Sequence, residues 1–439
     1  MGLANSTSKQ FATSFGEEET VGRRGPTLGS VLIDGVEAGS FRLVVVTPLK
    51  IQVYDAHTAK ILDLQDLVPA SLRSHLPMTS FSVEAESSSS RRMAVGCQDG
   101  EVLIFSLESD TAKPLRSFHV EEDLTSESKH ALAKSILALH LHQGYVFAGT
   151  CGRCMCWNLD DGELLHEFHL PSSDHPVSAS SLVTVAPESG LQLWTGLDVG
   201  SVAVFEVETG MLVRSLPCGG PEMVVALAFC EKTSVVFALS AHRRVTIWDT
   251  DLYACLQKYP AELMTCGADL SAMGAFDIPS INMSLLVLAG VDGSLCLRRI
   301  TRREDRKLNC ILLWYLGAES GCPITALDFH RATETILLGD AGCRVQLQNI
   351  KEQISEAQMI PPRKSTGPKS QEAEAETTTV DIGEDAEPPL PAPAYPPSPS
   401  QVSPAGDART ARTEKKETAP GYPSADSAAF PVFNGGDAV

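Results

Sequence analysis

From Arg92 to Ile350 the chain repeats one pattern: an apolar run, a tight turn, then a run in which apolar and polar positions alternate. Six stretches carry it, MAVGCQDGEVLIFSL, VFAGTCGRCMCWNL, LWTGLDVGSVAVFEV, VFALSAHRRVTIWDT, LVLAGVDGSLCLRRI and ILLGDAGCRVQLQNI, and LVVVTPLKIQVYDA is a fainter first copy. A glycine stands before the turn at Gly96, Gly149, Gly196, Gly290 and Gly339, at intervals of 53, 47, 94 and 49 residues. The interval of 94 covers two units, with Ser240 near the missing step. Most turns carry Asp or Gly, as in Asp99-Gly100, Asp198-Val199-Gly200 and Asp292-Gly293. These residues reach the positive φ of a short hairpin loop at little steric cost. Each unit therefore predicts a β-hairpin.

A further strand is predicted before the hairpin (Ser135 to His140, Val224 to Phe229, Ile324 to Phe329) and often one after it (Leu164 to Phe168, Met211 to Leu216, Ala254 to Lys258). Period-2 alternation with β-branched and aromatic residues supports each of them. Units of about 40–50 residues with up to four antiparallel strands read as the blades of a β-propeller. A lone blade leaves two apolar faces bare, so each must stack on two neighbours and the ring must close. The expected fold class is all-β, a seven-bladed β-propeller; a six-bladed ring is the alternative.

The chain resembles the WD-repeat family over about three-quarters of its length. The resemblance rests on Trp157-Asn158 and Trp248-Asp249 at the end of the third strand, on Tyr54, Phe105 and Phe205 at the same place, and on the turn residues Asp99, Asp198 and Asp292. It implies that Asp99, Asp198, Asp292, Trp157 and Trp248 are structural. The sequence departs from the family, because no Gly-His pair opens any blade and one unit alone ends in Trp-Asp. The family's hydrogen bonds between that histidine and the turn aspartate are therefore expected to be largely missing, with blades held by packing.

Three segments follow. Residues 1–27 form an amino-terminal arm, 28–350 the propeller, and 351–439 a disordered tail rich in Pro, Ala, Glu and Ser. The last blade reaches its third strand at Val345 to Ile350 and then the apolar pattern fades. Its fourth strand is expected from KQFATSF, Lys9 to Phe15, which would close the ring; SEAQMI just after the blade is the other source.

TCGRCMCWNLDDGELLHEFH, residues 150–169, gathers three cysteines and two histidines. Cys151 falls in the hairpin turn, and Cys154 and Cys156 share one side of the third strand, where both sides are covered. They are read as small core hydrophobes. A zinc site would need His166 and His169 from the adjoining strand, and a Cys-x-x-Cys redox pair is the third reading. No metal is assigned.

The 439-residue chain is 43% hydrophobic, enough for a substantial core, and no run approaches the roughly 18 apolar residues that cross a bilayer. Its net charge of -20 repels phosphate backbones, so nucleic acid is excluded as a partner. Twelve cysteines without a secretory signal predict free thiols in a reducing compartment, and a cytoplasmic location. MGLANSTSK fits the N-myristoylation pattern with Gly2 as acceptor. One acyl chain holds a membrane weakly, and the second signal would be RRITRREDRK, where Arg298, Arg299, Arg302 and Arg303 lead a basic patch read otherwise as a solvated loop. Membrane association is thus expected only if Gly2 is acylated.

The insertion His119 to Ser135 lengthens one rim connection. The tail from Pro361 has 7 basic and 12 acidic residues and few apolar ones, too few to offset ordering entropy. Within it PPLPAPAYPPSP, Pro388 to Pro399, favours polyproline II and fits SH3 or WW-type grooves. No phosphate-cradling loop, His-Glu-x-x-His or Gly-x-Ser-x-Gly is found, so neither catalytic residues nor cofactors are assigned. The functional expectation is a non-enzymatic scaffold that binds other proteins through its rim and tail in a multiprotein assembly. A peripheral membrane propeller held by Gly2 and the basic patch is the rival.

Overall fold

The structure, a computed structural model, describes residues 9–12, 26–34, 40–56, 75–84, 91–107, 114–120, 134–171, 176–188, 190–241, 244–259, 269–304, 306–317, 321–350 and 354. The chain divides into a unit Met1–Lys364, which holds all of these, and a second unit Ser365–Val439, which lies outside them. Gly2, most of the rim insertion and the Pro-rich run also lie outside the described residues.

Among the described residues, twenty-seven strands build seven antiparallel sheets. Strand β1 (Lys9–Ala12) is considered below. Blade 1 is β2 (Gly29–Asp34), β3 (Phe41–Val46) and β4 (Ile51–Asp55). Blade 2 is β5 (Met78–Val83), β6 (Arg92–Cys97), β7 (Glu101–Ser106) and β8 (Arg116–His119). Blade 3 is β9 (Ala138–His142), β10 (Tyr145–Gly149), β11 (Arg153–Asn158) and β12 (Leu164–His169). Blade 4 is β13 (Ala179–Val185), β14 (Gln192–Leu197), β15 (Ser201–Glu206) and β16 (Leu212–Pro217). Blade 5 is β17 (Val224–Cys230), β18 (Val235–Ser240), β19 (Val245–Asp249) and β20 (Cys255–Tyr259). Blade 6 is β21 (Leu270–Ile278), β22 (Met283–Gly290), β23 (Leu295–Arg302) and β24 (Leu308–Leu316). Blade 7 is β25 (Ile324–His330), β26 (Thr335–Asp340) and β27 (Arg344–Asn349), with β1 as its fourth strand.

Apolar residues on both faces of each sheet bury against the neighbours, giving seven inter-blade cores. One joins Val44, Ile51 and Val53 of blade 1 to Met93, Val95 and Phe105 of blade 2. The last joins Leu43, Val45 and Tyr54 of blade 1 to Leu337 and Val345 of blade 7, so the ring closes. The other five follow in chain order. At about 25 cal/mol per Å² of apolar area removed from water, this layered burial is the main stabilising term. Inner strands β2, β5, β9, β13, β17, β21 and β25 contact one another in sequence around the axis.

Closure comes from the amino end, as the sequence predicts: β1 pairs antiparallel with β27, Lys9 opposite Leu347 and Ala12 opposite Arg344. Thr27 reinforces the seam, its N–H donating to Asp340 O at 3.1 Å while Thr325 Oγ1 donates to Thr27 O at 2.7 Å. The inner strand of blade 3 differs from expectation. It starts at Ala138 rather than Ser135, because residues 135–137 serve as an approach segment whose Ile136 carbonyl bonds the blade before it.

The recurring glycine has a steric cause. A Cβ on Gly96 would stand 2.5 Å from Ile136 Cγ2, on Gly149 2.6 Å from Ala179 Cβ, on Gly196 2.8 Å from Val224 Cγ1, and on Gly339 2.5 Å from Thr27 Cγ2. In each case a side chain of the approach to the next blade or of that blade itself stands in the way, joined at Gly96 by Ser80 Oγ of the same blade at 2.4 Å, so glycine marks where neighbouring sheets touch closest to the axis. Blade 6 departs by one residue. Ala289, paired with Ala272 past the bulge, occupies the position that Gly96, Gly196 and Gly339 hold, and Gly290 is the following residue. In blade 5 that position is Leu239, with Ser240 following.

The inner strands β5, β13, β17, β21 and β25 carry a bulge opposite these positions, at Thr79, Ser180, Val225, Ser271 and Thr325. Three bulge hydroxyls donate across the interface. Thr79 Oγ1 reaches Ile136 O at 2.6 Å, Ser180 Oγ reaches Val224 O at 2.6 Å, and Thr325 reaches Thr27. Packing therefore has a polar complement that locks the angle between blades.

Candidate interaction surface

These bridges orient the molecule. The start of one inner strand bonds the start of the next, and farther along Leu141 N–H donates to Ser82 Oγ and Leu227 N–H to Ser181 Oγ, each at 2.9 Å. All blades thus run in one sense. Turns between second and third strands open on one face, beside the approach to each inner strand.

That face carries exposed aliphatic side chains: Leu49, Val199 and Val291 at turn tips, Leu137 and Met223 on approaches to β9 and β17. In blade 4 two such segments are stacked. A Cβ on Gly200, whose φ is +76°, would meet Gly220 O at 1.9 Å, so the Cys218–Met223 linker lies directly on the Val199 turn. The turn is Asp198-Val199-Gly200; an aliphatic residue at a turn tip was the sequence signal for this surface, and reading it for turn chemistry alone missed it.

The turn aspartates each hold this face differently. Asp99 Oδ1 accepts from Glu101 N–H and Asp292 Oδ1 from Ser294 N–H, fixing their own turns, whereas Asp198 Oδ1 accepts from Ser178 N–H in the approach to β13. Asp99 Oδ2 lies 2.5 Å from His75 Nδ1. Blade 2 thus has a histidine–aspartate bond of the type expected to be largely missing, with Ser74 instead of glycine before the histidine.

Trp157 and Trp248 are buried at the ends of β11 and β19. Trp157 packs on Phe118 at 5.3 Å, and Trp248 packs in the core between blades 4 and 5. Sheet register places Tyr54, Phe105, Trp157, Phe205 and Trp248 at one repeat position, which in blade 6 belongs to Arg298 and in blade 7 to Gln348.

That placement corrects the reading of the basic segment as a solvated loop. Arg298 through Arg302 belong to β23, because their alternation with Leu297 and Ile300 continues the strand pattern. Arg298 is buried and donates to Cys310 O at 3.2 Å. Arg302 pairs with the buried Asp249 of blade 5 and donates to Thr233 O at 2.7 Å. Burial alone would raise the Asp249 pKa, but the N–H groups of Leu252 and Asp251, together with Arg302, hold it below the ordinary value. Arg299 is half-buried with its Nε enclosed and no acceptor beside it. Arg303, Arg306 and Lys307 are exposed on the turn into β24.

Cys154 and Cys156 are fully buried in the core between blades 3 and 4, and burial pushes both thiols up to about 12. Such thiols are neither nucleophiles nor ready ligands. Among the described residues no group of three or more His, Cys, Asp or Glu is placed to hold a metal ion, and no helix is long and apolar enough to cross a membrane. His140 and His142 stack at 6.1 Å on β9. Thr184 N–H donates to His140 Nε2 at 3.3 Å, which makes that nitrogen the acceptor of a neutral ring, and burial lowers its pKa to about 3.

No protein-family model matches the chain, and no curated protein sequence matches it. Solved structures do. A chain of the Mitotic Checkpoint Complex crystal structure is 13% identical, with a TM-score of 0.53 over 70% of this chain and 86% of that one. The WD40 β-propeller domain of Doa1 is also 13% identical, with a TM-score of 0.51 over 78% of this chain and 96% of that one. With seven sheets stacked in a ring and closed by the amino-terminal strand, the chain has the fold of a WD40 β-propeller.

Proposed function

We propose that this propeller is a non-catalytic, cytoplasmic scaffold that binds other proteins within a multiprotein assembly, and that the turn face is its main docking surface. The observation carrying this reading is the set of exposed aliphatic side chains at Leu49, Leu137, Val199, Met223 and Val291, all on one face of a rigid ring. Apolar tips on a polar rim are the anatomy of a protein interface. The WD40 likeness supports an interaction role for the fold, and one solved relative sits in a crystallised complex. The tail would recruit further partners through Pro388 to Pro399.

The test compares the full chain with a Val199→Asp, Met223→Asp, Val291→Asp variant in affinity purification, after equal thermal midpoints establish that both fold. Loss of a defined set of co-purifying proteins is expected. Retention of the whole set by the variant would reject the turn face, and absence of any specific protein from either chain would reject the scaffold. The membrane-bound rival has less support, since Arg298 and Arg302 are engaged inside the blades. Its measurement is Gly2→Ala in a cell fractionation, where unchanged membrane partitioning would remove it.

A further inference from the structure

At blades 4 and 5 the face opposite the turn face has a character of its own. It is built from the turns that join first to second and third to fourth strands, and here those turns lie side by side. Val207 N–H donates to Leu191 O at 2.9 Å within blade 4, Thr250 N–H to Ser234 O at 3.2 Å within blade 5, and Gln192 Nε2 of blade 4 to Tyr253 Oη of blade 5 at 2.5 Å. Four exposed carboxylates stand on them, Glu188 and Glu208 in blade 4, Glu231 and Asp251 in blade 5, and among the described residues none is paired with a lysine or arginine. Two cations are near: Lys232 donates to Asn282 of blade 6, and Arg214 stands farther along β16, opposite Val204. The neighbouring blades balance their charge. Asp160 of blade 3 meets Arg92, and the turn into β24 mixes Glu304 with Arg303, Arg306 and Lys307. Beside the four carboxylates Met211, Leu252 and Leu212 are 68%, 56% and 44% exposed.

We propose that this face of blades 4 and 5 docks a cationic amphipathic helix of a partner protein. The helix covers Met211, Leu212 and Leu252 with its apolar side and brings lysines or arginines to Glu188, Glu208, Glu231 and Asp251. Apolar tips alone choose no partner; the charge does. Anionic membrane and a second copy of this chain of net charge -20 are repelled, whereas a cationic protein segment is drawn in. The two outer turns close on themselves, Glu206 N–H donating to Met211 O and Asp249 N–H to Ala254 O, each at 3.0 Å. They therefore offer side chains rather than free strand backbone, which suits a helix with one apolar side and cationic flanks. The surface lies at the other end of the strands from the turn face, so its test succeeds or fails independently of that reading.

The full chain is titrated with a fluorescent synthetic peptide that sets leucine at helical spacing on one side and lysine on the other. One companion carries glutamate in place of lysine, and another has the same composition with its leucines scattered. The lysine peptide should bind at least tenfold more tightly than either companion, and saturation should slow amide exchange across 206–212 and 249–255. Glu208→Lys with Asp251→Lys should weaken it at least tenfold, whereas Glu372→Lys with Glu374→Lys in the tail, an equal change in net charge, should leave it bound. Met211→Ser with Leu252→Ser should also weaken it at least tenfold, with the thermal midpoint retained. Should a variant fail to fold, exchange in the unaltered chain reports regardless. No binding up to millimolar peptide, equal losses from the patch and tail charge changes, or unchanged exchange in the two turns would each overturn the proposal. Faster exchange there, without peptide, once Arg409, Arg412, Lys415 and Lys416 are replaced by glutamate would overturn it too, assigning the patch to this chain's own tail. A dimer in sedimentation that Met211→Ser with Leu252→Ser dissolves would assign it to a second copy, with the same consequence.

Discussion

Arg302 acts by reaching out of its own blade. Its guanidinium meets the Asp249 carboxylate and the Thr233 carbonyl of blade 5, and Asp249 is only 1% exposed. Removing one partner of a buried pair leaves an uncompensated charge, at a cost near 3–5 kcal/mol when nothing else holds it. Asp249 keeps the N–H bonds of Asp251 and Leu252, so Arg302→Ala should cost about 2–3 kcal/mol. Arg306→Ala, on the exposed turn, should stay within about 0.5 kcal/mol. Urea unfolding of the two variants checks the contrast, and equal losses would contradict it. His140 gives a second residue-scale outcome, in pH. Its folded pKa of about 3 lies below the unfolded 6.5, so the native state refuses a proton that the unfolded chain accepts. Stability from this group is full above pH 6.5 and declines as the pH falls toward 3, by up to about 1.4 kcal/mol per unit. His140→Gln should lack that decline, so the gap between the two proteins should narrow by about 1–2 kcal/mol from pH 7 to pH 5. Parallel curves would rule the assignment out.

The hairpin is the element that local chemistry writes most plainly. Asp99-Gly100 and Asp292-Gly293 mark turns, and the alternation beyond them marks third strands, because both depend on residues adjacent in sequence. Features set by the next blade are harder to read. Gly96 and Gly290 look alike in the sequence, yet Gly96 faces Ile136 whereas the equivalent place in blade 6 belongs to Ala289; the bulge between Leu270 and Ala272 decides this, and no local signal marks it. Arg298 shows the same limit. Read locally it begins a cationic run. In the sheet it stands where Trp157, Phe205 and Trp248 stand, its stem in the blade and its guanidinium on Cys310 O. The candidate surface is legible in part, since Asp198-Val199-Gly200 and Asp292-Gly293 mark turns, whereas the exposure of Val199 and Val291 at the turn tips depends on the sheets that carry them. Met223 and Leu137 gave no signal, as their exposure follows from the blade-to-blade approach.

At the scale of the whole ring, stability depends on how its two ends meet. Six inter-blade cores join segments successive in the chain, while the seventh, between blades 7 and 1, joins residues some 300 apart. Two devices hold that seam. One is the inner contact, where Thr27 bonds Asp340 and Thr325. The other is β1 on the outside of β27. Deleting residues 1–12 removes the second and leaves the first. Four strand residues contribute a few backbone hydrogen bonds at about 0.5–1.5 kcal/mol each, so the truncated chain should lose roughly 2–4 kcal/mol and still fold. The loss should be local at first. Amides of β27, now an unpaired edge, should exchange faster, while those of β18 and β19 in blade 5 keep their protection, because the cores on either side of that blade are untouched. Hydrogen exchange of the two chains makes the comparison directly. Equal protection of 344–349 in both would mean that β1 does not close the ring in solution, and loss of protection in all seven blades together would mean that the outer strand, rather than the Thr27 contact, holds the circle.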